Sequence, residues 1–153
     1  MKRLFYYDTK IGKLGIAEEH GFLTNIYFMN MKQPLDSKLY ETDVIKETFN
    51  QLCEYFDGKR KEFDIPVNPS GTSFQQKVWC ELLNIPYGET RSYKDIAIAI
   101  GNEKSTRAVG NANNKNPIPI IIPCHRVIGT DNGLTGYAGG LKIKNYLLEL
   151  EKS

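Results

Sequence analysis

The sequence lacks the features of a secreted or membrane-bound protein. Its first nine residues contain two basic residues and then a run of only four apolar or aromatic residues, 4–7, before Asp8, far too short for a signal peptide or a membrane span. The three cysteines form no Cys-x-x-Cys pair, and their odd number does not suit a disulfide framework. Together with only two histidines they show no paired spacing of zinc ligands, so we expect no metal site. These absences predict a cytoplasmic protein with free thiols.

The composition is that of a folded protein whose positive charge lies in its second half. The 153 residues are 41% hydrophobic and 11% aromatic, enough to bury a core in one domain or in two small ones. Residues 1–70 carry 10 Lys and Arg against 11 Asp and Glu, whereas residues 71–153 carry 10 against 7. The excess of Lys and Arg over Asp and Glu is concentrated in residues 91–126. This segment is therefore either an anion-binding surface or an ordinary solvated surface. The basic residues there are Arg91, Lys94, Lys104, Arg107, Lys115 and Arg126.

The first 70 residues predict a small antiparallel sheet covered by one helix. Residues 4–7, 14–17 and 23–28 are apolar or aromatic runs separated by turn sequences, as in short neighbouring strands. Residues 36–56 change to a helical period. Residues 59–72 then combine basic residues, two prolines and an Asn-Pro-Ser-Gly sequence. This linker composition predicts a boundary between an N-terminal α+β domain, residues 1–70, and a C-terminal domain, residues 71–153.

The C-terminal domain is predicted to be helical. Apolar residues recur at helical spacing after Ser73, which can cap a first helix, and Ser92 can cap a second over residues 93–100. A third helix can open at Ser105 or Thr106 and must end before residue 116. The short second and third helices, separated by a glycine turn, resemble a helix-turn-helix. A turn at residues 131–133 precedes a last helix that runs through residue 148.

Cys124 follows a segment in which apolar residues alternate with three prolines. The prolines exclude a central strand, so we expect extended backbone, buried inside the domain, that delivers Cys124 to the floor of a cleft. His125 is the next residue, and an imidazole is the usual base that converts a thiol into the nucleophilic thiolate. Because adjacent residues of extended backbone point to opposite sides, we expect a water between His125 and Cys124.

The last helix supplies a carboxylate for this histidine. Glu151 lies four residues beyond Leu147 on the apolar stripe of that helix, so its side chain is expected to point inward and to need a partner. The sequence thus predicts a chain from Glu151 through His125 and a water to Cys124. The alternative is an inert packing cysteine, which is what we expect of the other two cysteines because no histidine is beside them.

Several separated motifs resemble those of one protein family. Residues 123–127, Pro-Cys-His-Arg-Val, preceded by residues 107–110, Arg-Ala-Val-Gly, and by Asn116-Pro117, resemble the active-site signature of the O6-alkylguanine-DNA alkyltransferases. Ser92-Tyr93 and residues 136–141 agree in order and spacing, so the resemblance extends from about residue 74 to residue 151. It implies an α+β fold: a small N-terminal antiparallel sheet with a helix, then a helical domain with a winged-helix-like helix-turn-helix above Cys124.

The resemblance implies a role for each matching residue. Cys124 is the alkyl acceptor, His125 is the base that acts through water, and Glu151 fixes the imidazole. Tyr93 gives its phenolic proton toward guanine N3 as the base leaves, unless it is simply a core aromatic. Asn116 ties the helix-turn-helix to the cysteine segment, unless it is a plain turn asparagine. The implied substrate-pocket residues are Val127, Tyr137 and Ala138. The backbone carbonyls of Cys124 and Val127 are implied to receive the exocyclic amine of guanine.

The resemblance also implies how DNA is bound. A base inside a duplex hides its O6, so the nucleotide has to rotate out of the stack. Arg107 matches the intercalating arginine of the family, an ordinary surface charge being the alternative. Small residues after it allow the helix to lie close to the minor groove, held by phosphate contacts. The implied DNA-binding residues are Lys104, Thr106, Arg107, Ala108, Gly110, Lys115 and Arg126.

Departures from the family pattern are few. Ala138 stands where some members have serine, and the recognition helix carries Asn111, Asn113 and Asn114, which we do not expect to touch the chemistry. No Gly-rich phosphate loop is present, so the expected alkyl donor is the DNA, without a cofactor.

The function predicted from the sequence is stoichiometric DNA repair. The resemblance implies a monomer that binds double-stranded DNA and no membrane, and that takes an alkyl group, methyl included, irreversibly from O6 of guanine. O4 of alkylated thymine is a further candidate substrate. The rival classes are a protein that only binds alkylated DNA and a cysteine hydrolase that uses Cys124 and His125.

Overall fold

The computed structural model describes residues 2–34, 36–129 and 136–152. The chain divides into two compact units, residues 1–69 and residues 70–153, each with its own core. Within the described ranges no helix is both long enough and apolar enough to cross a membrane. The turn predicted at residues 131–133 lies outside the described residues.

The first unit is built on a four-stranded sheet. Its strands are β1 (Arg3–Thr9), β2 (Gly12–Glu19), β3 (Phe22–Phe28) and β4 (Lys38–Leu39), in the order β3-β2-β1-β4. The first three pair antiparallel, as predicted. His20 and Gly21 join β2 to β3 with φ values of 56° and 83°, the left-handed backbone of a tight hairpin turn. β4, which the sequence did not reveal, pairs parallel to β1 through Arg3 and Leu4.

One helix, α1 (Asp43–Phe56), covers this sheet. It begins seven residues later than the predicted start at residue 36, because residues 38–39 pair with β1 and Thr42 caps the helix by accepting a hydrogen bond from the Ile45 N–H. The buried face of α1 packs against the apolar side of the sheet and fills the core of the unit. This face consists of Ile45, Thr48, Gln51, Leu52, Tyr55 and Phe56.

The second unit is mainly helical. Its elements are α2 (Ser73–Leu82), β5 (Arg91–Ser92), α3 (Tyr93–Ala99), α4 (Thr106–Asn114), β6 (Val127–Ile128) and α5 (Leu141–Lys152). Ser92 caps α3 in a reciprocal box with Asp95, whereas α2 is capped by Thr72 and Gln75, one residue before the predicted cap. α3 and α4 form the helix-turn-helix, and the predicted α+β fold class is confirmed.

Two long-range contacts position the cysteine segment within this unit. β5 and β6 pair parallel, which places Val127 beside Arg91 and Ile128 beside Ser92 at the start of α3. The Trp79 indole N–H of α2 donates to the Ala112 carbonyl of α4 at 2.9 Å, in a buried position. The recognition helix α4 is therefore fixed to the core from which Cys124 is presented.

Candidate active site

The segment before Cys124 is buried, but it is a closed loop and not the extended chain that we expected. The Ile122 N–H donates to the Ile118 carbonyl at 3.0 Å, and Ile120 has a φ of 75°, a left-handed conformation rare for a β-branched residue. Residues Cys124–Arg126 form a turn of 3-10 helix. Prolines remove backbone donors from this segment, so regular pairing gives way to bonds that a side chain supplies.

That side chain is Asn116. Its Oδ1 accepts a hydrogen bond from the Ile118 N–H at 3.0 Å, and its Nδ2 donates to the Ile122 carbonyl at 2.8 Å. Both ends of the buried amide are used, and together they close the loop immediately after α4. Asn116 therefore connects the end of the helix-turn-helix with the residues that lead into Cys124.

Cys124 is the only buried cysteine among the three, with 3% of its surface exposed. Burial raises the pKa of its thiol to about 11. The side chain of Asn116, the charge of Lys144 and the side chain of Tyr137 act in the opposite direction, since each stabilises the thiolate. The resting thiol is therefore neutral, in surroundings that partly compensate its negative charge once the proton leaves.

His125 is held by a carboxylate. Its Nε2 lies 2.7 Å from Oε2 of Glu151, and both side chains are buried. Because the carboxylate also faces the guanidinium of Arg126, it acts as an acceptor, which places the imidazole proton on Nε2. Nδ1 is then a lone-pair acceptor, and it has no hydrogen-bond partner among the described residues.

The protonation state of His125 suits a base. Burial lowers the pKa of the imidazole below its usual value of about 6.5, although the hydrogen bond and the charge of Glu151 act to raise it. The ring is therefore neutral near pH 7, and Nδ1 is available to accept a proton. The arrangement provides a neutral thiol followed directly in sequence by a neutral base.

Arg126 corrects one prediction. It was expected to contact DNA, but it is only 7% exposed and belongs to the buried carboxylate cluster. Its Nε lies 2.9 Å from Oε1 of Glu151, and a second guanidinium nitrogen lies 3.0 Å from Oε2. The third nitrogen donates to the Ile85 carbonyl at 2.7 Å. The two-point pairing orients the Glu151 carboxylate toward His125, so the assignment of Arg126 to the DNA surface was wrong.

The loop that carries Tyr87 completes this cluster. The Gly88 N–H donates to Oε1 of Glu151 at 3.3 Å, and Gly88 has a φ of 83°, which a residue with a side chain would adopt only under strain. The Arg126 guanidinium lies over the Tyr87 ring, 5.7 Å from its centroid. Glu151 is thus held by backbone and guanidinium donors as well as by the imidazole.

Two further residues touch the backbone around the thiol, and the sequence reasoning did not assign them. Nζ of Lys144, a fully buried lysine, donates to the Val127 carbonyl at 2.7 Å, and burial lowers the pKa of its ammonium to about 8. Nδ2 of Asn113 donates to the Cys124 carbonyl at 3.3 Å. Asn113 was expected not to touch the chemistry, and this contact contradicts that expectation.

A sequence signal for both residues existed. Lys144 lies three residues before Leu147 and seven before Glu151, on the same inward stripe of α5. Asn113 lies four residues after the buried Val109 on α4. A polar residue on a buried helical stripe is the feature that could have revealed each of them.

The remaining pocket candidates lie in the same unit. Tyr93 is the first residue of α3 and is half-buried, and a Cβ placed on Gly110 would lie 3.7 Å from its ring. The ring therefore packs closely over α4. Val127 and Tyr137 are buried, and Ala138 is half-buried.

The candidate DNA-binding residues divide by exposure. Lys104, Arg107, Ala108 and Lys115 are exposed along and beside α4, whereas Thr106 and Gly110 are half-buried in that helix. With Arg126 removed from the set, the remaining basic residues stand on the outer surface of the helix-turn-helix. The fold and site together define a protein in which a buried cysteine, followed by a histidine held by a carboxylate, lies against the second helix of a helix-turn-helix.

Comparison with known proteins places this class within a family. The family described as 6-O-methylguanine DNA methyltransferase matches in two parts, its ribonuclease-like domain over residues 3–69 and its DNA binding domain over residues 73–153. The chain belongs to this family, and the resemblance recognised in the sequence is confirmed.

Similar proteins match along nearly the whole chain. A methylated-DNA–protein-cysteine methyltransferase of Methanosarcina acetivorans is 49% identical over 150 residues, 96% of each chain. The constitutive enzyme of the same name from Bacillus subtilis is 47% identical, over 95% of this chain and 92% of that one. The crystal structure of Mycobacterium tuberculosis OGT in complex with DNA superposes with a TM-score of 0.93 at 46% identity, covering 98% of this chain and 92% of that one.

Proposed function

We propose that this protein repairs alkylated DNA by moving an alkyl group, methyl included, from O6 of guanine to Sγ of Cys124. In the transfer a bond forms between sulfur and the alkyl carbon, and the bond between that carbon and O6 breaks. The observation that carries the proposal is the buried Cys124 thiol followed by a neutral His125, whose Nε2 is held by Glu151 and whose Nδ1 is free to accept a proton.

The thiol has to lose its proton before it can attack. With its pKa raised to about 11 by burial, the thiol is almost entirely protonated at pH 7. In the proposal the proton passes through a bridging water to Nδ1 of His125, and Glu151 stabilises the imidazolium that results. Lys144 and the side chains of Asn116 and Tyr137 lower the energy of the thiolate.

The guanine leaves as an anion and needs a proton in return. The phenol of Tyr93 is proposed to give it toward N3, because the ring packs on α4 at Gly110, beside the helix proposed to meet the DNA. The product on the protein is a thioether. Another thiol does not break its bond between sulfur and the alkyl carbon under ordinary conditions. Each molecule therefore reacts once.

DNA is proposed to bind along the exposed surface of α4. Lys104 and Lys115 contact phosphates, and the exposed Arg107 fills the gap left when the damaged nucleotide rotates out of the stack. O4 of alkylated thymine is a further candidate substrate. The C-terminal domain, residues 71–153, then carries both DNA binding and transfer. Because Cys124 has to stay reduced and the substrate is DNA, we place the protein in the cytoplasm.

Stoichiometry tests the proposal. A fixed amount of protein is mixed with excess duplex that contains O6-methylguanine, and the repaired DNA is counted over time. The proposal expects repair to stop when one lesion per protein molecule has been removed, and expects Cys124→Ser to bind the damaged duplex without repair. Continued turnover contradicts single transfer, and binding without any repair by the unaltered protein makes it a damage-binding protein.

A further inference from the structure

The outer face of α4 carries two asparagines in line with Arg107. Asn111 and Asn114 follow Arg107 by four and seven residues, and this spacing puts the three side chains on one stripe of the helix. All three residues are exposed, whereas Val109 and Ala112 of the same helix are buried. The stripe therefore lies on the surface that is proposed to meet the DNA.

The two amides of the stripe are not used within the protein. Across the described residues neither Asn111 nor Asn114 forms a side-chain hydrogen bond, whereas the buried Asn116 uses both ends of its amide. A Cβ placed on Gly136 would lie 2.8 Å from Nδ2 of Asn114, so this side chain lies close against the backbone of residue 136. Each amide of the stripe thus presents a donor and an acceptor to whatever covers α4.

The residues beside the stripe favour the minor groove of DNA. Ala108 and Gly110 are too small to hold the helix away from a narrow groove, and Arg107 is proposed to fill the gap left by the rotated nucleotide. Proteins that bind the minor groove combine these features, because they insert a side chain between base steps and read base edges with arginine, lysine, asparagine or glutamine. The stripe therefore faces the undamaged base pairs that flank the lesion.

The minor groove offers one difference that an amide can distinguish. An A·T pair presents only acceptors there, whereas a G·C pair adds the amine on C2 of guanine as a donor. Asparagine donates from Nδ2 and accepts at Oδ1, so one side chain can pair with both N3 and the amine of a guanine. We propose that Asn111 and Asn114 are specificity-determining residues, which contact base pairs beside the lesion and favour G·C pairs there. This inference rests on the proposed binding of DNA along α4.

Helix geometry limits which base pairs the amides contact. A rise of about 1.5 Å per residue puts Asn111 about 6 Å and Asn114 about 10 Å from Arg107 along the helix axis. Base pairs follow one another at about 3.4 Å, so the amides reach no further than about three base pairs from the lesion. Because Arg107 occupies the position of the lesion, both amides lie on the same side of it. We therefore expect a sequence preference on one side of the lesion only.

Inosine in place of guanine tests the proposal. A pair of inosine with cytosine lacks only the minor-groove amine and keeps the major-groove edge of a G·C pair. The duplexes contain one O6-methylguanine and either a G·C or an inosine·C pair at each of the three positions on either side. The second-order rate constant of repair is measured for the unaltered protein, Asn111→Ala and Asn114→Ala, in which alanine preserves the helix. Asn84→Ala, at an exposed position after α2, is the matched control.

The ratio of the G·C rate to the inosine·C rate, compared between proteins, decides the outcome. A weaker inosine pair changes this ratio equally in every protein, so it does not affect the comparison. At the base pair that an amide contacts, we expect the ratio of the unaltered protein and of Asn84→Ala to exceed that of the alanine variant by roughly 5- to 20-fold.

Two results would contradict the account at different levels. Ratios that are the same in the unaltered protein and in both stripe variants at every position overturn the inference, even if the variants repair all duplexes more slowly. Such a result would leave α4 with contacts that do not read sequence. If the unaltered protein repairs none of the duplexes, the proposed function itself fails.

Discussion

Oε2 of Glu151 lies 2.7 Å from Nε2 of His125, and the same carboxylate is held at two points by Arg126. The pairing with Arg126 supplies the charge that keeps a buried carboxylate ionised, and the ionised carboxylate in turn decides which nitrogen of His125 carries the proton. His125 and Arg126 thus both contact the Glu151 carboxylate of α5, but with different consequences. The first is oriented as a base, and the second holds the group that orients it.

Glu151→Gln tests the orientation of the base. The amide keeps the shape of the carboxylate but no longer stabilises an imidazolium, and it can hold the imidazole in the wrong tautomer. We expect the single-turnover transfer rate to fall by about 100-fold or more, within the range that a positioned acid or base contributes. Glu149→Gln, at an exposed position of α5, is the control and should change the rate by less than about twofold. Equal rates for both variants would contradict the role of Glu151.

Arg126→Met tests the buried pairing. Methionine fills similar space but leaves the Glu151 carboxylate buried without a guanidinium, so the free energy of unfolding of the C-terminal unit should fall by about 3–5 kcal/mol. Urea unfolding measures this change. Arg91→Met, which removes an exposed pair with Glu89, should cost less than about 1 kcal/mol.

The same variant separates structural from DNA-contacting roles. Because Arg126 is buried, its replacement should leave the salt dependence of binding to undamaged duplex unchanged, as measured at a temperature where the protein is folded. A salt slope lowered by about one would instead indicate a lost phosphate contact and restore Arg126 to the DNA surface.

The pH dependence of transfer follows from His125. Burial depresses the pKa of its imidazole below 6.5, so the folded protein keeps the neutral base down to a lower pH than a solvent-exposed histidine. The acid limb of the single-turnover rate should therefore have its midpoint below pH 6.5. Since Glu151 acts to raise this pKa, Glu151→Gln should move the limb lower still. A midpoint above pH 6.5 would contradict a buried, neutral His125.

Arg107→Ala tests the role of α4 in exposing the damaged base. Without a side chain to fill the stack, repair of O6-methylguanine in duplex DNA should slow by roughly 10- to 100-fold, because unstacking a base costs a few kcal/mol. Transfer from the free base O6-methylguanine needs no unstacking and should be unchanged. Lys77→Ala, which removes an exposed charge on α2, is the control. A slower reaction with the free base would place Arg107 in the chemistry instead.

Much of the fold could be predicted because the apolar runs, turn residues and helix caps of the sequence indicated the same elements. Apolar runs separated by turns predicted β1 to β3, and Ser92 marked the start of α3. The predicted start of α1 was wrong because β4 forms only by pairing with β1, which lies more than thirty positions earlier in the chain. The prediction of extended backbone before Cys124 was wrong for a related reason. The shape of this loop depends on hydrogen bonds of the Asn116 side chain, which no periodicity in the sequence reveals.

The candidate site was readable where burial followed a helical stripe. Glu151 was expected to point inward from its spacing to Leu147, and the structure places it there, 5% exposed. Arg126 was assigned to DNA on charge alone, and charge does not distinguish a solvated arginine from one paired in the core. Asn113 lay outside the expected chemistry because the partner of its amide is the backbone of Cys124, a contact that appears only after α4 packs.

The central claim is that Cys124 itself keeps the alkyl group. The most direct measurement is intact and peptide mass spectrometry after the protein is mixed with one equivalent of duplex DNA that contains a single O6-methylguanine. We expect one added methyl group, located on the peptide that contains Cys124, together with loss of the methyl group from the DNA. Demethylated DNA with an unmodified Cys124 peptide, or a methyl group on another residue, would contradict it.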